Sequence, residues 1–305
     1  MYVKNSFVFV KNGMDLQTAN NFVYLRDGSQ LLQGRIGANA NIGLGKVSVF
    51  QEGTSGQYGY NYWCAPVGNT TATPTIGDFG ITMTHRPTTN IASTAAISSA
   101  FNDHNGTANP LKISSRWIYT YDPGMNYSEW DYVGGANTIP PGRGFSMKGT
   151  GGSDTTAADA TEDKDPLTAG IQPFQNNPGN AQRYDFRGRA NSGDIAIPVA
   201  AGQETLTGNP YPSAIDLKAF LTDPSNSACN GIAYFWEHDK TVLSHNLADY
   251  KGGYGQYSPL GGLVVAPYGN MGVYNPATFY AYNGAGTQLG AVGSGSNYER
   301  RFCPV

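Results

Sequence analysis

Residues 205–221 read TLTGNPYPSAIDLKAFL, and they decide the fold class. A strand-like run over 204–207 stops at Gly208-Asn209-Pro210, turns through Tyr211-Pro212 and restarts as a short helix. Ser213 stands where an N-cap belongs, and Asp216 follows three residues on, as the acid of a capping box does. Ile215, Leu217, Phe220 and Leu221 form its apolar face. No other stretch carries a comparable helix start. Outward from it in both directions the chain reads as short strands and turns, so the expected class is all-β.

Composition supports this. Only 13% of the 305 residues are charged, against about 25% in an average soluble domain. The chain has 40 Gly, 20 Tyr and 13 Phe. Aromatic residues suit pleated surfaces and Gly supplies turns, which fits an extracellular β-protein. An aromatic content of 12% is too high for a disordered chain. The net charge is −3 and Lys and Arg are scattered, so no basic stripe tracks a phosphate backbone and nucleic acid is not an expected partner. The acidic run at 159–165 lacks EF-hand spacing and reads as a solvated loop. No apolar run is long enough to span a membrane as a helix. Cys64, Cys229 and Cys303 form no CxxC pair. They read as buried thiols, with one disulfide plus a free thiol left open. No metal site or cofactor is expected. The first residues enter a strand without a secretory leader and the last stop in mid-strand, which reads as a fragment or a processed piece.

Three stretches are expected. Residues 1–56 form a strand-rich segment, either hairpins or β-solenoid coils. Asn12-Gly13 and Asp27-Gly28 are turn dipeptides of the hairpin type, while the strand–turn rhythm also suits parallel coils. Residues 57–182 form a first β-sandwich-like unit with long loops, in which 93–101 reads as one or two helical turns. Residues 183–305 form a second such unit, truncated at its end. The two units echo one another, Tyr119 and Tyr121 matching Tyr234 and Trp236, and Pro141 matching Pro304. The expected fold is thus all-β, with tandem or packed sandwich-like units, an N-terminal strand-rich segment and one short helix after Ser213.

Chemistry is sparse. Glu237, His238 and Asp239, with His245 and Asp249 nearby, are the one cluster of metal-ligand types. On a strand His238 points away from its two neighbours, and His245 and Asp249 would share a face only on a helix. Glu129, Asp131, Glu237 and Asp239 are the acids from which a glycosidase pair would be drawn. No nucleophile elbow and no phosphate loop is present. Tyr58, Tyr60 and Tyr62, at every second position, share a strand face and read as an aromatic ladder or a sugar platform. Trp130, Tyr254 and Tyr257 are the candidate glycan-stacking rings.

The strings YLRDGSQLLQG, YGYNYWCAPVG, GRGFSMKG, YDFRGRANSGDI and LTGNPYPSAIDL, then AYFWEHD and SHNLADYKGGYGQYSP, resemble in this order a module of large cell-surface, adhesin-like proteins of Bacteroidota exported by the type IX secretion system. The likeness covers nearly all of residues 20–305. It implies a non-enzymatic structural or adhesin-like module, secreted across the outer membrane to the cell surface; the low charge and the many short strands with edges add assembly into a filament or surface layer. Its implied partners are neighbouring domains of one precursor and the type IX machinery, to which edge strands add identical subunits and the Tyr and Trp faces add extracellular glycans. It also implies O-glycosylation at Asp-Thr sites, for which Thr155 is the candidate. The second reading is a carbohydrate-binding module and the third a glycoside hydrolase.

Overall fold

The computed structural model describes residues 1–34, 41–71, 77–158, 175–259 and 272–294. Its elements are short strands with few exceptions, and among the described residues the one α-helix is Leu217–Thr222. The all-β class with a short helix after Ser213 is therefore what the chain adopts.

The N-terminal segment is a parallel stack. Strands β1 (Tyr2–Lys4), β2 (Phe7–Val10) and β3 (Asp15–Leu16) form a first coil. Strands β4 (Phe22–Arg26), β5 (Gln30–Gln33) and β6 (Ile42–Gly43) form a second, and β7 (Lys46–Glu52) opens a third. β1 pairs with β4, β2 with β5, β3 with β6 and β4 with β7, all parallel. This is the solenoid alternative, and the hairpin one is corrected. Asp27-Gly28 does take the two positive φ values of a primed turn, 50° and 69°, closed by Ser29 N–H donating to Arg26 O at 3.0 Å. It makes a corner between strands of different sheets rather than a hairpin. Val23, Leu25, Leu31, Val47 and Val49 fill the coil interior, because strand alternation turns every second residue inward.

β7 then joins the body of the molecule. It pairs antiparallel with Arg183–Ala190, which also pairs with Thr84–Pro87, and that strand with Ser93–Ala95. The expected division at 183 thus falls at the start of a strand hydrogen-bonded to β7. The expected helical turns at 93–101 are instead strands, Ser93–Ala95 and Ile97–Ser98, because each finds a ladder partner, in Thr84–Pro87 and Lys112–Ile113 respectively. A second sheet runs Asp131–Tyr132, Tyr119–Thr120, Phe145–Lys148, β8 (Tyr60–Trp63). The two sheets form a sandwich. Trp63 meets Tyr184 edge-on at 5.4 Å between ring centroids, and Phe79 lies 5.6 Å from Phe145 and 5.5 Å from Phe186.

The third body is an antiparallel sheet of Ala233–His238, Lys251–Ser258, Val273–Asn275, Thr278–Tyr282 and Gln288–Ser294. Residues 191–216 are the strap that reaches it. Asn191 Nδ2 donates to Ala65 O and Pro210 O at 3.0 Å each. Leu206 N–H donates to Tyr121 O at 2.9 Å, and Leu31 N–H to Pro212 O at 2.8 Å. Gln30 Oε1 accepts from Ala214 N–H at 2.9 Å. With Pro212 and Ala214 hydrogen-bonded to β5, the helix starts one turn later than expected. Its N-cap is Asp216, accepting from Ala219 N–H at 2.9 Å, and not Ser213.

Candidate functional site

Two tyrosine-rich sheet faces are turned toward each other. Register puts Tyr62, Ser146, Tyr119 and Tyr132 opposite one another across the four-stranded sheet, with Tyr60 opposite Lys148. Directly paired residues share a face, and this face is the one away from the Trp63–Phe145 core. Tyr60 and Tyr62 thus keep the shared face expected of alternate positions. In the C-terminal sheet Trp236 pairs with Tyr254 and His238 with Gly252, so these share a face. Trp236 meets Tyr254 at 5.2 Å and Tyr282 at 6.2 Å.

The faces touch at one end. Tyr62 Oη lies 3.2 Å from Tyr254 Oη, and the Tyr60 and Tyr250 rings are 6.1 Å apart. The Tyr250 hydroxyl donates to Tyr58 O. Beyond this closure the faces diverge into a cleft of about 2440 Å³, its wall completed by the strap. Tyr127, Tyr234 and Tyr254 are exposed in it, at 49%, 41% and 40%. Asp194, Glu204 and Asp223 are the charged side chains among its described lining, and no basic residue is among them. Burial raises the Tyr62 phenol, so this ring is neutral at any physiological pH.

The candidate stacking rings separate. Trp130 lines the cleft, tilted against Tyr121 at 5.0 Å and Tyr62 at 5.7 Å. Tyr254 presents an exposed ring. Tyr257 is 6% exposed, and its assignment as a stacking face is corrected. Three residues from Tyr254 on one strand, it falls on the opposite side. Tyr127 and Tyr234 are not among the stacking rings that the sequence proposes, although Tyr234 is an alternate-position neighbour of Trp236 and follows from strand periodicity.

The four acids considered for hydrolysis are elsewhere. Glu129 accepts from Met125 and Asn126 N–H at 2.6 Å each, caps that turn, and is held below the usual carboxylate range by those bonds. Asp131 is exposed outside the cleft lining. Glu237 points away from Trp236 and accepts from the Tyr274 hydroxyl. Burial raises its carboxyl. Asp239 accepts from Thr241 N–H and Oγ1, at 3.0 and 2.7 Å, within its own turn. His245 and Asp249 do not share a helical face. Asp249 accepts from Ser244 Oγ at 2.6 Å, whereas His245 reaches the sandwich. Among the described residues no three His, Cys, Asp or Glu groups are placed to hold a metal ion.

His245 forms the second contact between the bodies. Its Nε2 is 2.8 Å from Asn105 Oδ1 and its Nδ1 3.0 Å from Lys148 Nζ. If Nε2–H donates to the amide oxygen, Nδ1 keeps the lone pair that accepts from lysine. The ring stacks on Trp117 at 5.2 Å. Lys148 Nζ lies over Trp117 at 3.8 Å, Tyr60 at 4.8 Å and Tyr250 at 5.0 Å. Burial, then the nearby Arg116, pull Lys148 down to about 7.

Cys64 is half-buried beneath Gly208, and desolvation pushes its thiol up to about 12. Cys229 is exposed in the cleft, which corrects its reading as a buried thiol, and both are free. Cys303, Pro304 and the acidic run at 159–165 lie outside the described residues. Thr155 is exposed, beside a buried Asp154 that accepts from Arg86 Nε and Nη2 at 2.6 and 2.8 Å.

A family model described as a domain of unknown function, DUF8693, matches residues 74–286. No curated protein and no solved structure matches the chain.

Proposed function

The chain belongs to the DUF8693 family, and from its cleft we propose a non-enzymatic, adhesin-like module of a large cell-surface protein that binds an uncharged carbohydrate chain. The observation that carries this is the cleft itself, with Tyr234 and Tyr254 exposed from the C-terminal sheet, Tyr127 exposed from a turn on the opposite wall, and no basic group in its described lining. Sugar rings offer apolar C–H faces, and tyrosine and tryptophan offer matching flat surfaces with a polar handle. Three acidic lining residues disfavour an anionic ligand. The surface setting and the type IX route rest on the sequence resemblance and on the low charge content. In that setting Thr155 is the proposed O-glycosylation site, and an intact mass equal to the bare chain would remove it.

The test is an array of neutral oligosaccharides followed by titration of the hits. Tyr254→Ala and Trp130→Ala should each weaken binding about tenfold or more, as central aromatic anchors do, while Tyr234→Ala tests the open side. No signal on the array from folded wild-type protein sinks the proposal. A second reading, assembly into filaments, is favoured by the Gln288–Ser294 strand. Among the described residues it pairs on one edge only; it is exposed at every residue and carries no charge, the profile of an edge open to strand addition. Sedimentation showing only monomer at high concentration would count against it.

A further inference from the structure

We propose that His238 and His245 form an acid-sensitive latch: when they take up protons, the C-terminal sheet lifts from the sandwich as a folded body and the cleft loses its closed end. The latch holds whatever the cleft binds, and its test uses no ligand, so its failure would leave the carbohydrate reading standing. Both histidines belong to the C-terminal body, His238 at the end of the Ala233–His238 strand and His245 in the turn before Lys251–Ser258. Both are set against residues 58–60 of the sandwich. The His245 ring lies 4.9 Å from that of Tyr58. His238 takes the space over Gly59, where a Cβ would come within 2.5 Å of its Nε2. The closed end of the cleft is built on the same stretch, by Tyr60 and Tyr62 against Tyr250 and Tyr254.

The proton count makes this contact intolerant of acid. His245 sits between Asn105 Oδ1, 2.8 Å from its Nε2, and Lys148 Nζ, 3.0 Å from its Nδ1. The amide oxygen takes the Nε2 proton, and the Nδ1 lone pair takes one from lysine. A further proton on the ring would set an N–H against an ammonium, with no acceptor between them. The bond to Lys148 is then lost, and two like charges face each other at that distance. The ring is wedged there, stacked on Trp117 at 5.2 Å and edge-on to His104 at 5.9 Å.

The surroundings offer little to balance the charge. Asp103 is paired with Lys112 Nζ at 2.7 Å, and Asp249 accepts from Ser244 Oγ at 2.6 Å. Asp239, the carboxylate that favours charge on His238, accepts from Thr241 Oγ1 at 2.7 Å. The other groups acting on the two rings are Lys148, Arg116 and His104 from the sandwich and Lys240 from the C-terminal body, and all oppose a further positive charge. The Tyr60 and Tyr250 phenols beside Lys148 are raised by burial and stay uncharged. Burial, then these neighbours, pull both histidines down to about 4 in the closed state, against about 6.5 when free. The open state therefore binds protons more tightly, and acidification below about 6.5 favours it increasingly down to about 4. Each body keeps its own support. The C-terminal sheet has a ladder of six paired residues between Ala233–His238 and Lys251–Ser258, and a core of Tyr257, Tyr274 and Phe279. The strap, bonded to the sandwich through Asn191 and Leu206, is the tether.

The experiment is hydroxyl-radical footprinting of the full chain, read by mass spectrometry in steps from about pH 7.5 to about pH 4. Tyr250, 4% exposed at the junction, should gain label about fivefold or more as the pH falls. Tyr184 in the sandwich core and Tyr257 in the C-terminal sheet should stay unlabelled, and return to neutral pH should restore protection of Tyr250. His245→Gln keeps a donor and an acceptor but takes up no proton, and should move the rise to lower pH. With His238→Gln added, the rise should vanish over this range. Tyr184 and Tyr257 report in each variant that both bodies are folded. A gain at all three tyrosines together means general acid unfolding and overturns the proposal. No gain at Tyr250, or an equal gain in the double variant, overturns it as well.

Discussion

Lys148 is the residue whose burial has the clearest consequence. It is 3% exposed and surrounded by rings, with His245 as its hydrogen-bond partner. The other ionisable groups acting on the pair are Arg116, His104, His238, Tyr60 and Tyr250, none of them a carboxylate. His245 and His238 are both pulled down to about 4, first by burial and then by nearby cations, Lys148 among them. All three are bases whose native pKa is depressed, so the native state holds fewer protons than the unfolded chain. Stability is complete above the unfolded pKa and is lost as pH falls toward the folded one. For Lys148 that window runs from about 10.4 down to about 7. For the histidines it runs from about 6.5 down to about 4. The urea midpoint should therefore fall steadily from pH 10 to pH 5. Lys148→Met, which keeps the volume and removes the charge, should flatten the upper window and leave the lower one. Parallel curves for the two proteins would show that Lys148 does not set the upper slope.

At the scale of elements, local chemistry was legible and partners were not. Asp27-Gly28 announces a turn with two positive φ values, and has them. A turn fixes the direction of the chain for four residues, however, and leaves open whether the next strand folds back or climbs to another coil. The helix shows the same limit by one turn. Ser213 and Asp216 are both sound N-caps by residue type, and the choice is made by Gln30 and Leu31, which bind Ala214 N–H and Pro212 O from far away in sequence. Asp216→Ala should cost about 1 kcal/mol, as loss of a cap does, with the exchange protection lost confined to Leu217–Thr222. Ser213→Ala should leave those amides unchanged. A larger loss at Ser213 than at Asp216 would return the cap to where the sequence alone placed it.

Over the whole molecule, the cleft depends on a junction that no local pattern announces. Tyr62 and Tyr254 are separated by 192 residues and meet through their hydroxyls. Alternation gives each its face, but nothing in either strand states which sheet the face will meet. Tyr250 ties this junction most tightly. It is buried, it packs on Tyr60 and Lys148, and its hydroxyl is bonded to Tyr58 O. Tyr250→Ala should cost about 3–5 kcal/mol, the range for deleting a buried aromatic ring. More tellingly, it should split one transition into two. In the wild type, exchange protection of the Arg183–Ala190 amides at the sandwich centre and of the Lys251–Ser258 amides in the C-terminal sheet should be lost at the same denaturant concentration. In the variant the C-terminal sheet should go first while the sandwich holds, because the contacts that couple them centre on this ring. A single transition, shifted but undivided, would mean that the strap, rather than the aromatic junction, makes the two bodies unfold together.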